Sequence, residues 1–150
     1  MLNMRVTARR IATFAVSLIG LLFLAGPGIA QTASIKDRLL GNWQLVSVTI
    51  NDNQPYGKDP TGTLFADADG RFSVIVISAG NAANMAYFGT YMVDEADSTV
   101  TLHIDGGVNA GATGRTYKRA VVFNGAQLTV NTIVSATNKN AISLVFKRPG

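Results

Sequence analysis

His103, Tyr117 and Arg119 are the residues of this chain whose types and spacing could do chemistry. His103 is the only histidine, and its ordinary pKa of about 6.5 suits general acid–base work. Tyr117 and Arg119 stand two apart, so on a strand they share a face. A guanidinium there can take a carboxylate or enolate through two parallel hydrogen bonds. Tyr87 and Tyr91 are spaced to join them from a neighbouring strand. Together these groups describe a polar belt suited to an amphipathic ligand with a carboxylate, phenol or enol.

The belt depends on strand register. Asn124-Gly125 is a two-residue type I′ hairpin signal. It predicts Phe123 opposite Ala126, Val121 opposite Leu128, Arg119 opposite Val130 and Tyr117 opposite Thr132. One face then reads Arg115, Tyr117, Arg119, Val121 and Phe123, with Leu128, Val130, Thr132 and Val134. This is the expected interior, because its Phe123 end is wholly apolar. Residues 99–105 alternate cleanly, but the loop before Arg115 leaves their register open. Pairing Asp105 with Arg115 turns His103 inward beside Tyr117. A one-residue slip turns Val100, Leu102 and Ile104 inward and leaves His103 in solvent. The expected ligand-binding residues are Tyr117, Arg119, His103, Tyr91 and Val121.

Other site chemistries lack their residues. One histidine, no cysteine and scattered carboxylates give no metal first shell. Asp67, Asp69 and Gly70 look like part of a calcium loop but lack the downstream ligands. No Gly-x-Ser-x-Gly stands at a strand-to-helix turn, and no Gly-x-Gly-x-x-Gly opens a helix. Neither a cofactor nor a catalytic residue is assigned.

The positioning elements are almost all strands. Runs rich in Val, Ile, Thr, Tyr and Phe occupy residues 43–50, 61–66, 71–78, 86–93, 99–105, 115–123, 126–134 and 141–147. Before them, residues 34–40 read as a short helix with Ser34 as N-cap and Gly41 just past its end. The connections alternate in length. Residues 67–70, 94–98 and 124–125 are short; residues 51–60, 79–85, 106–114 and 135–140 are long. In an antiparallel meander, alternate connections share an end. The prediction is an all-β, eight-stranded up-and-down barrel with a tight floor, where Trp43 and the helix lie, and a looped rim where ligands enter.

The first thirty residues read differently. Arg5, Arg9 and Arg10 precede an apolar run at 11–25, then Gly26-Pro27 and the small residues Gly28 and Ala30. This is the pattern of a secretory signal peptide, cleaved after Ala30 by the general route. It makes residues 31–150 the barrel domain, periplasmic or secreted, with no membrane span after cleavage. Without the three signal arginines, ten Lys and Arg face nine Asp and Glu, about +1, so nothing points to nucleic acid. The absence of cysteine excludes disulfides and a lipoprotein anchor. A monomer or weak dimer is expected.

Four segments resemble the bacterial lipocalin-like domain family. They are Leu40-Gly41-Asn42-Trp43-Gln44-Leu45-Val46-Ser47; Tyr56-Gly57-Lys58-Asp59-Pro60-Thr61-Gly62-Thr63-Leu64 followed by Asp69-Gly70-Arg71-Phe72-Ser73-Val74; Ala86-Tyr87-Phe88-Gly89-Thr90-Tyr91-Met92-Val93-Asp94; and Leu144-Val145-Phe146-Lys147-Arg148. The resemblance covers nearly all of the chain after the signal. It implies a lipocalin (calycin) barrel in which Trp43 packs across the floor against Arg148, or against Lys147 if the register differs by one. The resulting expectation is an exported protein binding a small hydrophobic or amphipathic molecule. One alternative is a cofactor-free cyclase or isomerase, with Arg119 steadying an enolate and His103 or Tyr117 moving the proton. Another is an envelope protein-interaction module with a filled core. A cavity approaching roughly 300 Å³ separates the ligand readings from the last.

Overall fold

A cap starts the ordered path. The Asp37 amide donates to Ser34 Oγ at 3.0 Å, and that hydroxyl donates to the Asp37 carboxylate at 2.7 Å. One free N-terminal amide is thus satisfied at the head of α1 (Ile35–Leu39). The computed structural model describes residues 33–81 and 84–150. The expected signal peptide lies outside the described residues.

Eight strands follow: β1 (Gly41–Ile50), β2 (Thr61–Ala66), β3 (Arg71–Ile77), β4 (Asn84–Asp94), β5 (Thr99–Gly107), β6 (Thr116–Asn124), β7 (Gln127–Thr132) and β8 (Ile142–Lys147). Each pairs antiparallel with the next, and β8 returns to β1, so the sheet closes into a barrel. The expected runs agree with these strands to within two residues at each boundary. No helix among the described residues is long and apolar enough to cross a membrane.

Closure rests on β1. Its residues 41–44 pair with β2, and its residues 44–50 pair with β8. A bulge between Leu45 and Ser47 inserts one residue into the β8 ladder. The inner face therefore switches from odd to even positions: Trp43 and Leu45 are buried below the bulge and Val48 above it. The core is the inner face of all eight strands, with Phe146, Ile104, Leu128, Val48 and Val76 fully enclosed.

The floor is built as a plug. At the head of α1, the Ile35 and Lys36 amides donate to the Glu95 carboxylate of the β4–β5 turn, at 2.8 and 3.0 Å. At its foot, Trp43 Nε1 donates to the Leu39 carbonyl at 2.8 Å. The Arg148 guanidinium lies 3.8 Å above the Trp43 ring and donates to the carbonyls of Leu40, Asn42 and Arg38. Of the two candidate partners for Trp43, Arg148 occupies the place; Lys147 is exposed.

Two register expectations need correction. The β6–β7 turn is centred on Gly125 and Ala126, with Asn124 paired to Gln127. Gly125 has φ 58 and Ala126 does not adopt positive φ, the pattern of a type II′ turn with Gly first. Phe123 therefore faces Leu128, Val121 faces Val130 and Arg119 faces Thr132. The inner and outer faces stay as expected, but every partner moves by two residues. On β5, the open choice resolves with Val100 opposite Arg119 and Leu102 opposite Tyr117. Val100, Leu102 and Ile104 are buried, and His103 faces outward.

Candidate ligand cavity

The inner faces of β2 to β8, with Leu39 of α1, leave a cavity inside the barrel. Its wall is formed by Leu64 and Ala66, Phe72 and Val74, Tyr87 and Tyr91, Val100 and Leu102, Arg119 and Val121, Val130, and Leu144 with Phe146. Small side chains create the space: Ala66, Val74, Val100, Val121 and Val130 stand where longer residues would close it. The lining is apolar apart from the Tyr87 and Tyr91 hydroxyls and Arg119.

The enclosed cavity is small, about 40 Å³, well below the ~150 Å³ of an apolar cavity that takes benzene. This falls short of the roughly 300 Å³ of usual ligand sites. The expected capacity is corrected downward: in this conformation the space is smaller than one ring needs.

Among the described residues, Arg119 is the one cation on the wall. Its guanidinium is half-buried, lies 4.8 Å from the centre of the Tyr117 ring, and donates to the Lys118 carbonyl at 3.1 Å. It forms no ion pair among the described residues, whose salt bridges are His103–Asp105 and Lys118–Asp97. Burial pulls its pKa below the ordinary arginine value, and the nearby Tyr87 and Tyr117 hydroxyls act the other way. Burial raises the Tyr87 pKa, Arg119 lowers it, and Tyr117 and Tyr56 raise it further. These couplings put four groups near one another: Arg119, Tyr87, Tyr117 and, from the β1–β2 connection, Tyr56. Phe72 supports Tyr87 edge-on, with ring centres 5.9 Å apart.

The expected site residues divide as follows. Arg119, Val121 and Tyr91 line the cavity. Tyr117 is half-buried beside Arg119 and packs against the core without lining the cavity. Tyr91 does not join Arg119: its hydroxyl donates to the Asp67 carbonyl in the β2–β3 turn at 2.7 Å, at the floor. Burial raises its pKa, with Asp67 adding to the rise. His103 is outside altogether. Its ring is 53% exposed, with Nδ1 3.3 Å from Thr116 Oγ1 and Nε2 3.9 Å from Asp105. Its register explains this, since it pairs with Thr90 on one side and Thr116 on the other, both exposed.

One neighbour of this cluster escaped sequence reasoning. Tyr56 lay in a segment read as a rigid turn. Asn51 and Asp52 adopt positive φ, and Ile50 and Asn53 exchange backbone hydrogen bonds around them. That tight turn brings the following residues back over the barrel, where Tyr56 packs against the core. Thr132 was placed opposite Tyr117 by the wrong hairpin register. Its hydroxyl is buried with no hydrogen-bond partner among the described residues. Among the described residues, no group of three or more His, Cys, Asp or Glu side chains is arranged to hold a metal ion.

No family model and no curated protein matches the chain. Among solved structures, the chain is similar to a redesigned beta barrel at 14% identity and a TM-score of 0.50, over 79% of this chain and 100% of that one. At that identity the likeness speaks for the barrel fold alone.

Proposed function

We propose that this chain is an exported lipocalin-like protein that binds a small hydrophobic or amphipathic molecule inside the barrel. The observation that carries the reading is an apolar cavity whose wall carries a guanidinium without an ion pair among the described residues. Filled cores do not hold a half-buried cation beside empty apolar space without reason, because both features cost stability. A ligand with an apolar body and a polar end offsets both. The Trp43–Arg148 seal supports the family reading, since that contact is what the resemblance implies. The signal-like first thirty residues support export by the general secretory route to the periplasm or beyond. The enzyme alternative loses support at His103, which faces away from the cavity.

Native mass spectrometry of the protein purified from its host tests the reading. The expected result is a fraction carrying a small bound mass that is lost on denaturation. A chain that arrives empty and takes up no small aromatic or branched aliphatic compound at millimolar concentration overturns it.

A further inference from the structure

The outer face of β2, β3 and β4 holds large apolar side chains in water: Phe65 is 40% exposed, Ile75 45% and Phe88 52%. Outward positions of a barrel strand ordinarily carry polar residues, since the apolar ones gain by turning inward. Scattered singly, such residues need no account; clustered on neighbouring strands, they mark a contact surface.

Register sets them in two rows. Phe65, Ser73 and Phe88 are paired across the three strands in one row, and Thr63, Ile75 and Ala86 in the next. The first row reads large, small, large; the second reads small, large, small. A half-turn about an axis parallel to the rows and midway between them exchanges one with the other. Laid face to face on a second copy, Phe65 then meets Thr63, Ile75 meets Ser73 and Phe88 meets Ala86. Each bulky residue enters a gap left by the other copy, which is the self-complementarity that a two-fold contact requires.

Charge permits the same arrangement. Arg71 and Asp94 are the charged residues at outward positions of β2 to β4, both at the floor end. The half-turn reverses the strand direction, so each Arg71 lies over Ile77 of the other copy. Six residues of strand, about 20 Å, then keep the two arginines apart. The Phe88 ring is also braced, because it lies against its β5 partner Gly106, where a Cβ would stand 2.9 Å from it. A ring already held in place loses little freedom on contact.

We infer that this face binds a second copy of the chain, in a two-fold dimer with β3 antiparallel on β3 at its centre. The contact uses the opposite side of the strands from the cavity and stands independently of the ligand reading. Phe65, Ile75 and Phe88 together expose roughly 250 Å² of apolar surface. A stable interface takes about 800 Å² from each partner. The dimer is therefore weak and depends on concentration, with a Kd on the order of 10–100 µM.

Sedimentation velocity of the protein purified from its host, from well below to well above that Kd, tests the inference. The mass is expected to rise from one chain to two. Phe88→Glu is expected to weaken association about tenfold or more and to leave Trp43 fluorescence unchanged, since the side chain is half in water. Ser73→Asp and Ile75→Lys are each expected to remain monomeric alone. An equal mixture of the two is expected to dimerise, because position 73 of one copy lies against position 75 of the other. If these variants fail to fold, the wild-type chain still decides: on dilution, the amide shifts of Thr63, Ser73 and Ala86 must move. A wild-type chain that stays monomeric throughout overturns the inference, and if it floats with anionic phospholipid vesicles the face is a membrane contact instead. A dimer that Phe88→Glu leaves intact overturns it as well.

Discussion

Arg119 faces Thr132 across the β6–β7 ladder, two residues beyond the partner that the Asn124-Gly125 turn signal gives it. The difference is small in register and large in chemistry. Opposite Val130, the guanidinium would meet only hydrocarbon. Opposite Thr132, it shares the inner face with an unbonded hydroxyl.

The floor seal sets the first expectation. Arg148 stacks on Trp43 and donates to three carbonyls. Arg148→Leu keeps the apolar stem but strands those acceptors and removes the cation. A loss of about 2–3 kcal/mol is expected, from a cation–π contact and charged hydrogen bonds together. Urea unfolding followed by Trp43 fluorescence measures it. Arg148→Lys should recover less than half, because an ammonium cannot reach three carbonyls from one planar fork.

Gly89 makes a close approach on β4. A Cβ there would run into the His103 carbonyl carbon and oxygen on β5, next to the bulge between Phe88 and Gly89. Backbone cannot move aside as a side chain does. Gly89→Ala is expected to cost about 3 kcal/mol or to shift the β4–β5 register. Thermal unfolding and the amide spectrum of β5 report which occurs.

His103 is expected to be dispensable for binding. Its contacts to Thr116 and Asp105 are on the exposed surface, where such pairs contribute little. His103→Gln should change stability by less than about 0.5 kcal/mol and leave ligand affinity unaltered. A loss of affinity on calorimetric titration would place the ligand outside the barrel.

Alkaline pH should loosen the barrel through its buried phenols. Burial raises the pKa values of Tyr87 and Tyr91 above the ordinary 10.0. The unfolded chain ionises first, so the folded state holds more protons at alkaline pH. This contribution is therefore complete below about pH 9 and is lost as pH rises through and beyond about 10. Urea midpoints from pH 8 to 11 should fall, and the fall should shrink in Tyr91→Phe. That variant also loses the hydrogen bond to the Asp67 carbonyl, worth about 1 kcal/mol at neutral pH.

The strands, their order and the floor were legible because each rests on local signals. Apolar alternation marks the runs, and Asp, Asn and Gly punctuate them. Ser34 and Asp37 announce the helix head. Register was less legible, because it is set by neighbours rather than by a strand's own residues. Gly125 can serve an Asn-Gly or a Gly-Ala turn, and the two differ in whether Leu128 pairs with Val121 or, as observed, with Phe123. His103 shows the same ambiguity: its strand alternates perfectly in either orientation, and burying Val100, Leu102 and Ile104 decides the outcome. Tyr56 was hidden by a turn built from Asn51 and Asp52, whose left-handed backbone is tolerated by these residue types but not demanded by them.

The doubly paired β1 has a consequence for the order of assembly. Its upper half has no β8 partner until residues 142–147 arrive, after the other seven strands. The ring therefore cannot shut before all eight strands have left the ribosome. Until then the nascent sheet is an open ribbon with two raw edges and its greasy side uncovered. Deletion of residues 142–147 would leave that ribbon permanently unlatched, and such a product should be degraded or aggregate rather than persist as a slightly weaker barrel.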